Sequence, residues 1–213
     1  MARMATTAPQ LHLPRSARAQ RTRQRLLDAA GQCFAESGFA KTTVEEIAHT
    51  AGVSKGLVYH HFRSKDEVLR SVLERTLEQW NELTGSAVIN DQPAFIPALR
   101  RMAHNTLRWA RRNPMVQATI RMDPLVLFAV GLDPVRATMQ AFQGRLERGL
   151  RDAVATGELR ADLDVERNAE LLRVLHSAFL GQLVEPGWFL NTDDALIDVT
   201  FDALLHGMAK RDA

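Results

Sequence analysis

Apolar residues recur at a helical period along most of the chain. The clearest stretch is Val44, Ile47, Ala48 and Ala51, the i, i+3, i+4, i+7 spacing of one buried stripe. Thr43 stands three residues ahead of Glu46 at its start, a capping box in which each side chain accepts a backbone N–H from the other residue. Gly52 supplies the bend needed by an inter-helix turn of about three or four residues. Ser54 caps the next helix, which turns Val58 and Phe62 inward and Lys55, Tyr59 and His60 outward. Ser64 with Glu67 makes a second capping box and opens a longer helix. Two short helices of about eight to nine residues, a glycine turn and a basic second helix match the geometry that enters a DNA major groove.

The pattern also divides the rest of the chain. Residues 1–16 mix Ala, Thr, Pro and Arg without a period and read as a disordered basic tail. A first helix is expected over 18–37, with Leu26, Ala30, Cys33 and Phe34 on its core face and Gly38 at its exit. The helix opened at Lys65 is expected to reach residue 84. Asp91-Gln92-Pro93 is a break, and a fifth helix then runs to Arg112. Asn113-Pro114 and Asp123-Pro124 bracket a short helix, because proline fits only a first turn. Asp133-Pro134 opens one that ends near Gly157, Asp164 caps one over 165–184, and Thr192 caps the last over 193–210. The prediction is an all-α protein of about nine helices with no strand. Its parts are a tail (1–16), a helix-turn-helix domain (17–63) and a helical body (64–213).

The spelling of this region narrows the class. Gly-Val-Ser-Lys-Gly-Leu-Val-Tyr-His-His-Phe-Arg-Ser-Lys-Asp-Glu-Val-Leu at 52–69 resembles the signature of TetR-type transcriptional regulators. Phe34-Ala35-Glu36-Ser37-Gly38-Phe39 followed by Thr42-Thr43 is similar to the same family. Val58 stands where leucine is commoner, a conservative change for a core position. The resemblance covers about the first third of the chain and becomes only architectural beyond residue 70. It implies a DNA-binding head, a body whose helices surround a ligand cavity, and a two-fold dimer.

Charge adds to this picture only when divided. Residues 1–65 hold ten Lys/Arg against four Asp/Glu, and the remaining residues hold seventeen against twenty-one. A basic head on a mildly acidic body is the electrostatic footprint of a nucleic-acid reader. The single cysteine, Cys33, excludes an internal disulfide and reads as a small buried hydrophobe rather than a redox sensor. Residues 1–18 lack the apolar core of a secretory signal, and the longest apolar run, Leu125–Leu132, is far below the roughly 18 residues of a membrane helix. The expectation is a soluble cytoplasmic protein without membrane contact.

The candidate DNA contacts are Thr43, Ser54, Lys55, Gly56, Tyr59, His60, His61 and Lys65. A helix start with free N–H groups at Thr43 suits a phosphate, and in the resembling family that position both caps and binds. Lys55 and Lys65 flank the second helix and would neutralise phosphates. Gly56 costs roughly 1 kcal/mol of helix propensity relative to Ala, which is explained by close approach to DNA or by packing. The resemblance makes Tyr59 a DNA contact. His60 is the candidate base reader, and His61 faces a neighbouring helix or a phosphate. Arg15, Arg18, Arg21, Arg23 and Arg25 are either a solvated face or a minor-groove arm.

The body carries no H-E-x-x-H, G-x-S-x-G or glycine-rich phosphate loop, and its histidines lack metal-ligand spacing, so no catalytic residue, metal or cofactor is expected. Its candidate ligand-binding residues are Met102, His104, Asn105, Trp109, Met122, His176 and Phe179. Met102, Asn105 and Trp109 lie three and four apart and are expected to look into one space. Arg101 and Arg112 stand only at the edges of that face, which disfavours a strongly anionic effector. The last two long helices are apolar on more than one stripe, as a helix that covers both a core and a second subunit would be. The expectation is a homodimeric regulator, a repressor released from a palindromic operator by a small hydrophobic effector. An activator or ligand-independent regulator of the same fold stays open; the charge split, the capped Lys55–Lys65 segment and the lack of a nucleophile–base motif argue against a small-molecule-binding helical enzyme.

Overall fold

The computed structural model describes residues 15–89, 94–113, 115–116, 131–181 and 194–208. Among these lie eight helices, numbered here in chain order: α1 (Arg15–Lys41), α2 (Val44–Thr50), α3 (Lys55–His61), α4 (Lys65–Ile89), α5 (Phe95–Arg112), α6 (Asp133–Ala155), α7 (Val165–Gly181) and α8 (Asp194–Met208). The all-α expectation holds, and most of the short helix expected between Pro114 and Pro124 falls outside the described residues.

Local chemistry sets most of the boundaries. Gly38 breaks α1 with φ 76°, ψ 159°, a left-handed value that favours glycine, so the chain turns near where the pattern ended the helix. α2 and α3 are seven residues each, shorter than expected, because Ala51 and Phe62 already terminate them. α4 is longer than expected, reaching Ile89 rather than residue 84. Asp164 caps α7 by accepting the Arg167 N–H at 3.1 Å. The expected break at 91–93 and the Thr192 cap lie outside the described residues.

Two hydrophobic cores result. The head packs Leu26, Leu27 and Ala30 of α1 against Ile47, Val58 and Phe62, and α4 closes this core with Val68, Leu69 and Val72. Cys33 is buried in it, with its thiol 3.5 Å from the Thr50 hydroxyl. The body core joins Trp80 of α4 to Leu99 and Met102 of α5, Phe142 and Leu146 of α6, Leu172 of α7, and Ile197 and Phe201 of α8. α4 is thus buried first in the head and then in the body. At 1.5 Å per residue its 25 residues span about 37 Å, so a small tilt at the body end displaces the head. Among the described residues, no helix is long and apolar enough to cross a membrane.

Candidate functional site

The head presents α3 on a frame whose own polar groups are satisfied. Thr43 N–H donates to Glu46 Oε2 at 2.7 Å and Glu46 N–H donates to Thr43 Oγ1 at 3.2 Å, the reciprocal box expected from the spacing. Gly52, with φ 63°, makes the turn, and Arg25 donates to the Ala51 carbonyl at 2.6 Å and holds it. Ser54 Oγ accepts the Leu57 N–H at 3.3 Å and starts α3. Val58 and Phe62 are buried, and the Arg23 guanidinium lies 5.1 Å from the Phe62 ring centroid. At the start of α4, Ser64 Oγ accepts from Glu67 N–H at 3.2 Å, while the Glu67 carboxylate takes the N–H of Arg63 at 2.6 Å.

What remains exposed is one face of α3. Lys55, Gly56 and His60 are exposed, and Tyr59 is 49% exposed, high for an aromatic residue in a well-packed head. The Lys55 ammonium lies 5.8 Å from the Tyr59 ring centroid and pairs with Glu45 of α2. That hydrogen bond holds the Glu45 carboxyl below its usual range and the Lys55 ammonium above its own. Both partners are solvated, so a phosphate can take the place of Glu45 without uncovering a buried charge. A Cβ added at Gly56 would meet only Ser54 Oγ, at 4.0 Å, which removes packing within the chain as the reason for a glycine there. His61 is half-buried; burial, then His60 and Arg23, lower its pKa.

Lys65 differs from the other basic candidates. Its ammonium donates to the carbonyls of Phe39 at 2.8 Å, Thr42 at 2.9 Å and Ala40 at 3.4 Å, and it lies 4.4 Å from the Phe39 ring centroid. All three donors of the ammonium serve the segment that follows the Gly38 kink. Thr42, a residue of the family-like run with no role expected from the pattern, is buried there and donates its one hydroxyl hydrogen toward two carbonyls, of Gly38 at 2.9 Å and Cys33 at 3.0 Å. Neither role has a local sequence signal, because both depend on where the chain returns after a turn.

In the body, Met102, His176 and Phe179 come together with Leu99, Phe142 and Leu172 around a cavity among α5, α6, α7 and α8. Its volume is about 10 Å³, enough for one water. His176 stands 5.1 Å from the Phe142 ring and 6.0 Å from Trp80, and burial pushes its pKa down to about 4, leaving the imidazole neutral at pH 7. Its Nε2 is buried and makes no hydrogen bond.

The other α5 candidates are not on that wall. The buried stripe of α5 is centred on Leu99, Ala103, Thr106 and Ala110, so Met102 is at one edge, Trp109 is only partly buried, and Asn105 is exposed. Asn105 shares a face with Met102, but it lies about 120° from the stripe's centre at 100° per residue. His104 faces the opposite side and reaches Asp198 of α8, Nε2 to Oδ1, at 2.9 Å. Met122 lies outside the described residues. Arg145 of α6 is buried against α4, where it donates to Asn81 and Thr84.

A second exposed surface lies on α7 and α8. Leu171 and Val174, with Ala178, form an exposed apolar strip on α7. On α8 the strip is Ala195, Val199 and Ala203, spaced four apart, and Val199 is 65% exposed.

Comparison with known proteins agrees with this geometry. Residues 26–72 match the family model described as bacterial regulatory proteins, tetR family. The chain is 48% identical to the HTH-type transcriptional regulator SrpR of Pseudomonas putida, over 85% of this chain and 94% of that one. It is also similar to the solved structure of SmeT, the repressor of the Stenotrophomonas maltophilia multidrug efflux pump SmeDEF: 28% identity, TM-score 0.63, 90% of this chain and 92% of that one. The fold alone is shared with FadR from Bacillus subtilis, solved in complex with stearoyl-CoA, at 20% identity and TM-score 0.67, covering 86% and 98% of the two chains.

Proposed function

The chain belongs to the tetR family of bacterial regulatory proteins, and we propose that it works as a homodimeric repressor released from a palindromic operator by a predominantly apolar small molecule. The observation that carries this reading is the exposed Lys55–Gly56–Tyr59–His60 face of α3, on a head whose caps and core are otherwise complete. In this reading Thr43 and Ser54 offer helix N-termini to phosphates, Lys55 neutralises one, and Tyr59 covers a sugar or a thymine methyl. His60 reaches base edges, His61 supports it from the half-buried side, and Gly56 lets the backbone of α3 come close. Lys65 acts mainly as a brace that fixes the head, with its charge a lesser contribution.

Two heads read one palindrome only when their recognition helices are about 34–36 Å apart or separated by whole turns. The exposed strips of α7 and α8 are the surfaces we assign to the dimer. The cavity among Met102, Phe142, His176 and Phe179 is the effector site. It is closed to the size of a water, so an effector must part α5 from α6 and α7, and Trp80, packed on Phe142 at 4.9 Å, carries that movement into α4. Ligand binding then shifts a population between matched and mismatched head spacings. The repressor sense is supported by SmeT, a relative that represses an efflux pump.

The test selects bound duplexes from a random pool and then follows their release. Recovery of a palindrome bound by two chains, and its release by apolar compounds, is the expected result. Recovery of no preferred sequence would defeat the proposal.

A further inference from the structure

His176 of α7 is a polar group set into an apolar wall. It is 6% exposed and borders the closed space that Met102, Phe142 and Phe179 also line. Its ring stands 5.1 Å from Phe142 and 6.0 Å from Trp80, centroid to centroid. Nε2 is covered and meets no hydrogen-bond partner among the described residues. An atom left unpaired inside a protein carries the full desolvation cost of its group, so a ligand that pairs with it recovers what folding gave up.

The rest of the lining restricts what that ligand can be. Among the described residues of the wall, none is charged, and the only other polar side chain is Thr200 of α8. The Thr200 hydroxyl donates to the Leu196 carbonyl at 2.7 Å, which commits its single hydrogen and leaves it able only to accept. Burial keeps the imidazole neutral at pH 7. An ionised ligand group would therefore lose its water and meet no opposite charge on this wall. A purely apolar ligand would leave Nε2 as it is. A hydroxyl donates and accepts at once, so it pairs with Nε2 in either tautomer of the ring. It is also the ligand group nearest to water in size, and the space holds about one water.

We propose that His176 is the hydrogen-bonding subsite of the effector cavity, and that the effector is a neutral apolar molecule carrying a hydroxyl group, bound at Nε2 with its apolar body between Phe142 and Phe179. This deepens the apolar-effector reading above and rests on it. The same imidazole packs near Trp80 of α4, so a ligand that holds His176 acts next to the helix that leads to the head.

The test uses pairs in which a hydroxyl is exchanged for a methyl of similar size: 4-propylphenol with 4-propyltoluene, and cyclohexylmethanol with ethylcyclohexane. Each is titrated into the full-length protein by calorimetry and then into the protein–operator complex. In the wild type the hydroxyl compound of each pair binds and releases DNA at least about ten-fold better than its methyl partner, although the methyl compound is the more hydrophobic. His176→Phe, which keeps an aromatic ring and removes the polar atom, brings each pair within about three-fold or reverses it. His176→Gln, whose amide can donate and accept, keeps the preference. If His176→Phe does not fold, the wild-type ratio decides alone. Methyl compounds that bind as well as their hydroxyl partners in the wild type, or a preference of full size in His176→Phe, overturn the His176 subsite and leave the apolar effector standing. An absence of binding by all four compounds, each up to its solubility, overturns both.

Discussion

The ammonium of Lys65 donates to the carbonyl oxygen of Thr42 at 2.9 Å, closing a contact between residues 23 apart in sequence. Lys65 opens α4, and Thr42 ends the segment after the Gly38 kink. The contact therefore fixes the base of the helix-turn-helix to the helix that leads into the body. Lys65→Met keeps the stem and removes the donors, leaving three carbonyls short of a partner. It should destabilise the protein by about 1–3 kcal/mol in urea unfolding. Wild-type stability in this variant would mean that Lys65 is a surface charge and not a brace.

Gly56 separates folding from recognition. An added methyl meets nothing closer than 4.0 Å within the chain, and alanine is the better helix former. Gly56→Ala should therefore raise stability by up to about 1 kcal/mol. The same methyl stands between α3 and DNA, so operator affinity should fall even as the melting temperature rises. A variant that is more stable and binds DNA fully would show that the α3 backbone does not approach the duplex.

His176 predicts an acid-sensitive body. Its pKa is lowered by burial to about 4 in the folded protein, against about 6.5 when unfolded. Between those values the unfolded chain binds more protons than the folded one. Stability from this group is complete above pH 6.5 and lost progressively as pH falls toward 4. From pH 7 to pH 5 the loss is about 2 kcal/mol. His176→Gln should flatten that part of the stability profile, measured by urea unfolding at both pH values. An equally steep fall in the variant would place the sensitivity elsewhere.

The contrast between the head and the body shows what sequence pattern conveys. The capping boxes and the α2 stripe were legible because each is decided within about four residues, by hydrogen-bond reach and the helical period. So was the fold class. On α5 the pattern misled at Asn105: the small residues Ala103 and Ala110, not the large Met102 and Trp109, mark the centre of the buried face. Arg145 carried no signal at all. An arginine more than three turns into an amphipathic helix looks solvated until α4 is laid against it. Lys65 and Thr42 were obscure for the same reason, since their partners are carbonyls brought near by tertiary packing.

The proposed dimer surface can be tested without touching the core. Phe179 and Leu204 are partly buried against the body, so a charge there would confound folding with assembly. Val199 is 65% exposed. Val199→Glu should leave the helical signal and unfolding free energy near wild type and convert the dimer to a 23.8 kDa monomer in light scattering. Operator affinity should fall with it. An unchanged mass would remove this strip of α8 from the interface.

If the exposed face of α3 binds the DNA backbone while it reads the operator, binding must depend on salt through Lys55. Operator affinity of wild type and Lys55→Ala would be measured across a range of salt concentrations. Each phosphate contact contributes a slope of about 0.9 in log affinity against log salt on B-DNA. The wild-type slope should be steep and lower by about that amount in Lys55→Ala, with specific and non-specific binding both weakened. Identical slopes for the two proteins would contradict it.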